Sequence, residues 1–192
     1  METNRLEAFS DGVFAIAITL LVLEIKVPTG ESLGLGLLHL WPSYLAYAIS
    51  FIVIGAIWIN HHAMFKWIVR ADQKLLLLNT LLLMFIAFLP FPTAVLAEAF
   101  HTRSGQDVAT AFYASTLTAI GILVTAMWWY AASHRELLDD ALSPEQANAI
   151  GRRYLIGPIG YALATIFAFV SPWLSITLFI ALNTYFLWPR HT

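Results

Sequence analysis

Apolar residues in this chain gather in long blocks separated by short polar junctions, without the period-two alternation of half-buried strands. Six such blocks are evident: Phe9–Ile25, Tyr44–Ile59, Leu75–Leu96, Val108–Tyr130, Tyr154–Phe169 and Trp173–Leu187. A helix crosses the hydrocarbon core of a bilayer with about 20 predominantly apolar residues. It also satisfies its own backbone hydrogen bonds in lipid, whereas a barrel would show alternating segments. The expected fold class is therefore an all-α membrane protein, with six transmembrane helices forming a single domain over residues 1–192. The last two blocks are short and joined only by Val170-Ser171-Pro172, which predicts a tight antiparallel hairpin. Pro90 and Pro92 are expected to kink or end the third helix early, and Pro158 is placed to do the same within the fifth.

Composition agrees. Of 192 residues, 59% are hydrophobic and only 11% charged, and the mean hydropathy is +0.74. Soluble domains average about 25% charged and 45–50% apolar residues. The first block is too long for a cleavable signal's apolar core and lacks a positively charged start with a small-residue cleavage site, so no short cleavable leader is expected. The absence of cysteine excludes disulfides, thiolate metal sites and cysteine nucleophiles. A net charge of −2 argues against nucleic acid as a partner.

Lys and Arg then orient the bundle. With the N-terminus inside, Arg5, Lys66, Arg70, Lys74, Arg135, Arg152, Arg153 and Arg190 fall on the cytoplasmic side, and only Lys26 and Arg103 outside. The expectation is a multi-pass protein of the cell membrane with both termini cytoplasmic. Trp41, Trp67, Trp128, Trp129, Trp173 and Trp188 fall near span ends, as interfacial anchors do. No internal repeat is visible, so a symmetric pore would need several copies of the chain.

The most informative stretch is Arg5–Ile25, where the polar cluster Phe9-Ser10-Asp11 opens an otherwise apolar run. An ionisable residue at the mouth of a membrane helix is expensive to keep and points to function or to a polar network. At 100° per residue, Gly12, Ile16, Thr19, Leu20, Leu23 and Val27 share one face, and Asp11 lies nearly opposite. The partners available to Asp11 are Arg5 and the end of the second span, Trp58-Ile59-Asn60-His61-His62. Two readings stay open. Asp11 either caps a helix end, or Ser10, Asp11, Trp58, Asn60 and His61 form a buried network at one depth. The Ile/Leu stripe likewise suits a lipid-facing or core surface as well as a pore.

Arg5 followed by Phe9-Ser10-Asp11-Gly12-Val13-Phe14-Ala15-Ile16 and Thr19 resembles the R-x-x-x-F-S-D first-helix signature of the endolysosomal transmembrane potassium-channel family. Trp58-x-x-His61 with Phe65 resembles the end of that family's second helix. The resemblance implies a potassium-permeable cation channel in which the first helix of every repeat lines the pore. A single-repeat chain such as this one looks like the bacterial form, a homotetramer. Carried over by position, the constriction isoleucine is Ile16, the hydroxyl layer is Thr19, and Leu20 and Leu23 continue the face. Arg5, Phe9, Ser10 and Asp11 match the motif's network residues, with Trp58, Asn60 and His61 beside them.

Ordinary potassium channels strip hydration water with carbonyl rings from a TVGYG loop, and the sequence contains no such loop. Rings of large aliphatic side chains gate instead by dewetting. Selectivity would then reflect the cost of dehydration at Ile16, helped by the Thr19 hydroxyl. The expected partners are other copies of the chain, the bilayer and monovalent cations, with permeant potassium rather than a cofactor in the pore. Glu24 near the outer mouth either concentrates cations or is a solvated interfacial carboxylate. A secondary transporter of a small cation or solute is the alternative, although the inverted repeat it would require is not seen. An enzyme is not expected: H-E-x-x-H and G-x-S-x-G are absent, and Asp139-Asp140 lies in a loop.

Overall fold

A computed structural model describes residues 3–30 and 32–187. Helix α1 spans Asn4–Leu20 and tightens into a 3-10 turn over Leu21–Glu24. Then come the short α2, Leu33–His39, and the long α3, Trp41–Phe65. Helices α4, Gln73–Phe88, and α5, Pro90–Thr102, follow almost end to end. The longest helix is α6, Gln106–Ser133, and α7, Pro144–Tyr154, leads directly into α8, Ile156–Ala168. Helix α9 covers Pro172–Leu187. Among the described residues, Asn4–Glu24, Trp41–Phe65, Gln73–Thr102 and Gln106–Ser133 are long and apolar enough to cross a membrane, and Pro172–Phe186 is a shorter apolar helix. The protein is all-helical as the apolar blocks predict. The helices extend past the blocks, because polar residues such as Asn4, Arg5 and His62 continue a helix beyond its apolar part.

The prolines act as their chemistry requires. The third block breaks at Leu89, where Pro90 and Pro92 withdraw two N–H donors and the Leu89 N–H turns back to Ile86 O at 3.2 Å. Pro158 acts one turn upstream of itself. It sits in the first turn of α8, and the break falls at Leu155, at the very start of the fifth block rather than midway along it. A proline cannot donate to the carbonyl four residues back, which here is Tyr154 O; Thr125 Oγ1 of α6 donates to that oxygen instead, at 3.0 Å.

Helix α6 is the hub, with Tyr113, Leu117 and Trp128 wholly buried. Its Gly121 lets α8 approach so closely that an added Cβ would lie 2.9 Å from Pro158 N. The predicted α8–α9 hairpin is present, with Ser175 Oγ donating to Ala164 O at 2.8 Å and Gly160 lying against Leu182. A buried hydroxyl cluster joins α3, α5 and α6: Ser50 Oγ lies 2.8 Å from Thr93 Oγ1 and 2.9 Å from Tyr113 Oη. Trp128 is not an interfacial anchor. It is fully buried and its indole donates to Ala147 O at 2.9 Å, which seats α7 on α6. Trp41 and Trp173 do lie half exposed at one end, stacked at 6.4 Å. Trp188 and Arg190 lie outside the described residues.

At the other end, the segments after α3 and after α6 pair. Ile68 and Leu138 form a bridge, with Val69 N–H donating to Leu137 O and Asp139 N–H to Trp67 O, both at 2.9 Å. This gathers Lys66, Arg70, Lys74 and Arg135 at the end where α1 also starts. Asp72 starts α4 there as its N-cap, accepting from Leu75 N at 2.8 Å. Its second oxygen accepts from the Tyr130 hydroxyl. That hydrogen bond first, and the backbone donor next, hold the Asp72 carboxyl below its ordinary range.

Candidate functional site

Helix α1 has two faces of different fate. Leu6, Ser10, Phe14, Ala17 and Leu21 recur at helical spacing and are buried against the bundle. Gly12, Ile16, Thr19 and Leu20 face away, as does Leu23 in the 3-10 turn; Ile16 and Leu23 are each 61% exposed. Only 22% of the first span is buried, against 39–50% of the other three long spans. The stripe therefore belongs to no core within one chain. Val27 lies beyond the helix, past the extended Ile25, and does not continue it.

Thr19 Oγ1 lies 2.9 Å from both Ala15 O and Ile16 O. Its one proton is spent on its own helix, leaving lone pairs as the only group it can offer outward. A hydroxyl so fixed acts as an acceptor, the polarity that suits a cation.

The polar residues beside this helix separate into two sets. On the buried side Ser10 Oγ donates to Leu6 O at 2.8 Å, so it must accept from Asn79 Nδ2 at 3.0 Å. That fixes the Asn79 amide with its oxygen toward His61, and His61 Nε2 therefore carries the proton it donates over 2.9 Å. All three side chains are buried, and Phe14 and Phe65 pack on the imidazole at 5.5 and 4.6 Å between centroids. The chain of bonds ties α1, α4 and α3 together.

On the outer side Trp58 Nε1 donates to Asp11 Oδ1 at 2.8 Å, and both residues are exposed. The single buried network expected at this depth is thus not what forms, because Ser10 and Asp11 are consecutive and a helix turns them about 100° apart. Asn60 joins neither set, since its amide donates to Ala56 O of its own helix at 2.7 Å. Arg5 and Phe9 are exposed, and among the described residues no ion pair reaches Arg5. His62 is exposed and stacks on Trp58 at 6.3 Å. Glu24 is half-buried, with Lys26 Nζ 3.9 Å away. Among the described residues no three His, Asp or Glu side chains converge as a metal site would require.

Sequence reasoning missed Asn79. The signal was present: a lone amide inside Leu75–Leu83 is a costly residue in lipid and needs a partner. Asp11, Phe14, Ala15, Ile18, Ile54, Gly55 and Trp58 line an open groove of about 390 Å³ between α1 and α3.

Residues 5–90 match the family model described as endosomal/lysosomal potassium channel TMEM175. A protein of Streptomyces collinus named a potassium channel is 45% identical over 174 residues, 88% of this chain and 84% of its own. One of Chamaesiphon minutus, also named a potassium channel, is 47% identical over 190 residues, covering 96% and 93%. The crystal structure of a lysosomal potassium-selective channel TMEM175 homologue from Chamaesiphon minutus superposes with a TM-score of 0.86 at 44% identity, covering 96% of this chain and 95% of that one. The chicken protein named an endosomal/lysosomal proton channel is 36% identical over 151 residues, but these are only 30% of its length.

Proposed function

The chain belongs to the TMEM175 channel family, and from that premise we propose that it forms a potassium-permeable cation channel by assembling as a homotetramer around α1. Six crossings per subunit, α7–α8 and α9 supplying the last two, leave both termini on the cytoplasmic side with the basic end of the bundle. Four copies of α1 line the axis. Ile16 makes the constriction, Thr19 contributes a ring of acceptor oxygens, and Leu20 and Leu23 add further aliphatic rings. Asp11 and Trp58 brace α1 against α3, and Ser10, Asn79 and His61 hold the opposite side of α1 to the bundle.

One observation carries this reading: the α1 face bearing Ile16, Thr19, Leu20 and Leu23 has no partner within its own chain, while the other face is packed. A ring of four isoleucines is too apolar to hold water readily, so an ion must shed part of its shell there. Potassium sheds water at lower cost than sodium, which gives the expected order of permeation.

The test joins assembly to flux. The native chain has no cysteine, so Ile16→Cys introduces one thiol per subunit. Oxidation should trap neighbouring subunits in pairs, and liposomes should pass potassium more readily than sodium. Cross-linking through a cysteine placed on α6 instead, with none at Ile16, would refute the arrangement.

A further inference from the structure

Helix α7 is polar, unlike the long apolar helices it joins, and its last turn carries Arg152 and Arg153. No carboxylate pairs with either among the described residues. Arg152 is exposed. Arg153 is half-buried: its guanidinium carbon lies 6.0 Å from the centre of the Tyr185 ring, and its buried Nε–H meets no hydrogen-bond acceptor among the described residues. A buried donor without an acceptor is rare and costly.

Immediately below the arginines the surface becomes apolar. Leu155, Ile156, Ile159, Leu163 and Ile166 are all exposed and recur at helical spacing. Arg152 stands at the head of the same stripe, three residues before Leu155. Hydrogen bonds from Leu155 N to Gly151 O and from Ile159 N to Leu155 O, each 3.3 Å, carry the helical path across the break, so the charge and the stripe form one surface. Over the 13 residues of α8 this face extends about 20 Å at 1.5 Å per residue, the reach of an acyl chain.

We propose that the arginine pair and the stripe beneath it bind an anionic phospholipid, whose headgroup phosphate sits on Arg152 and Arg153 and whose chain lies along Leu155, Ile159 and Leu163. An arginine fork matches phosphate oxygens in pairs through its terminal Nη groups, so the two guanidiniums suit a phosphate at the head of the stripe. The inference rests on the membrane placement proposed above, but its test needs no ion flux, so its failure leaves the channel reading untouched.

The protein purified in neutral detergent is titrated with phosphatidylglycerol, phosphatidylcholine, and inorganic phosphate. Binding is followed by thermal shift and by native mass spectrometry. Phosphatidylglycerol should raise the melting temperature and remain bound, whereas phosphatidylcholine and inorganic phosphate should do neither. Arg152→Gln, at an exposed side chain with no partner to lose, should weaken phosphatidylglycerol about fivefold. Arg152→Gln with Arg153→Gln should weaken it about 25-fold, at roughly fivefold per arginine. Equal binding of phosphatidylcholine, an equal shift with inorganic phosphate, or undiminished phosphatidylglycerol binding by Arg152→Gln would each overturn the proposal.

Discussion

Replacing Asn79 with alanine removes the side chain through which α1, α3 and α4 are tied. Its two bonds, 2.9 Å from His61 and 3.0 Å to Ser10, lie among side chains at most 3% exposed. Side-chain hydrogen bonds between membrane helices average about 0.6 kcal/mol and reach about 1.7, so two contribute roughly 1–3 kcal/mol. The substitution also strands the His61 Nε2–H in the core, a penalty of about 1–3 kcal/mol that overlaps the first term. The expected loss is therefore about 2–4 kcal/mol. Ser10→Ala breaks only one of the two bonds and should cost about 1 kcal/mol. Combined, the two substitutions should cost less than their sum, by about the 0.6–1.7 kcal/mol of the bond they share. Equilibrium unfolding in mixed micelles, read by tryptophan fluorescence, gives all three values. If Asn79→Ala falls within about 0.5 kcal/mol of the native protein, or the two costs simply add, the triad does not act as a connected unit.

Three further outcomes are expected. Ile16→Asn should wet the constriction, raising single-channel conductance and lowering potassium selectivity measured by bi-ionic reversal potential, with smaller changes for Leu23→Asn. Gly121→Ala would place a Cβ 2.9 Å from the Pro158 backbone nitrogen, where no side chain can swing away, so α6 and α8 must separate; a loss of about 1–3 kcal/mol in the same unfolding assay is expected. The Asp72 carboxyl is held below its ordinary value of 3.8 in the folded state, so its contribution is complete above that pH and is lost as the pH falls through the lower folded value. The melting temperature should therefore drop more steeply below pH 4 for the native protein than for Asp72→Asn, and parallel curves would show that the Tyr130 and Leu75 hydrogen bonds do not favour the ionised form.

What could be read from the sequence is what depends on a residue's near neighbours along the chain. Apolar blocks long enough for lipid mark the helices, because backbone groups in lipid must be paired internally. The 3.6-residue period puts Ile16, Thr19 and Leu20 on one side of α1 and sets Asp11 apart from them, and no other helix is needed to know it. Pro90 and Pro92 mark the break in the third block for an equally local reason. The tertiary structure decided everything that depends on which helix lies alongside. Ser10 and Asp11 are adjacent, yet one meets Asn79 of α4 and the other Trp58 of α3, because a single residue step turns the side chain toward a different neighbour. Asn60 and His61 part in the same way. Trp128 sits near a helix end like the interfacial tryptophans, and only the docking of α7 over it makes it core. Helical phase is a property of one segment, whereas a hydrogen-bond partner is fixed by the relative rotation and depth of two, which packing of the whole bundle sets.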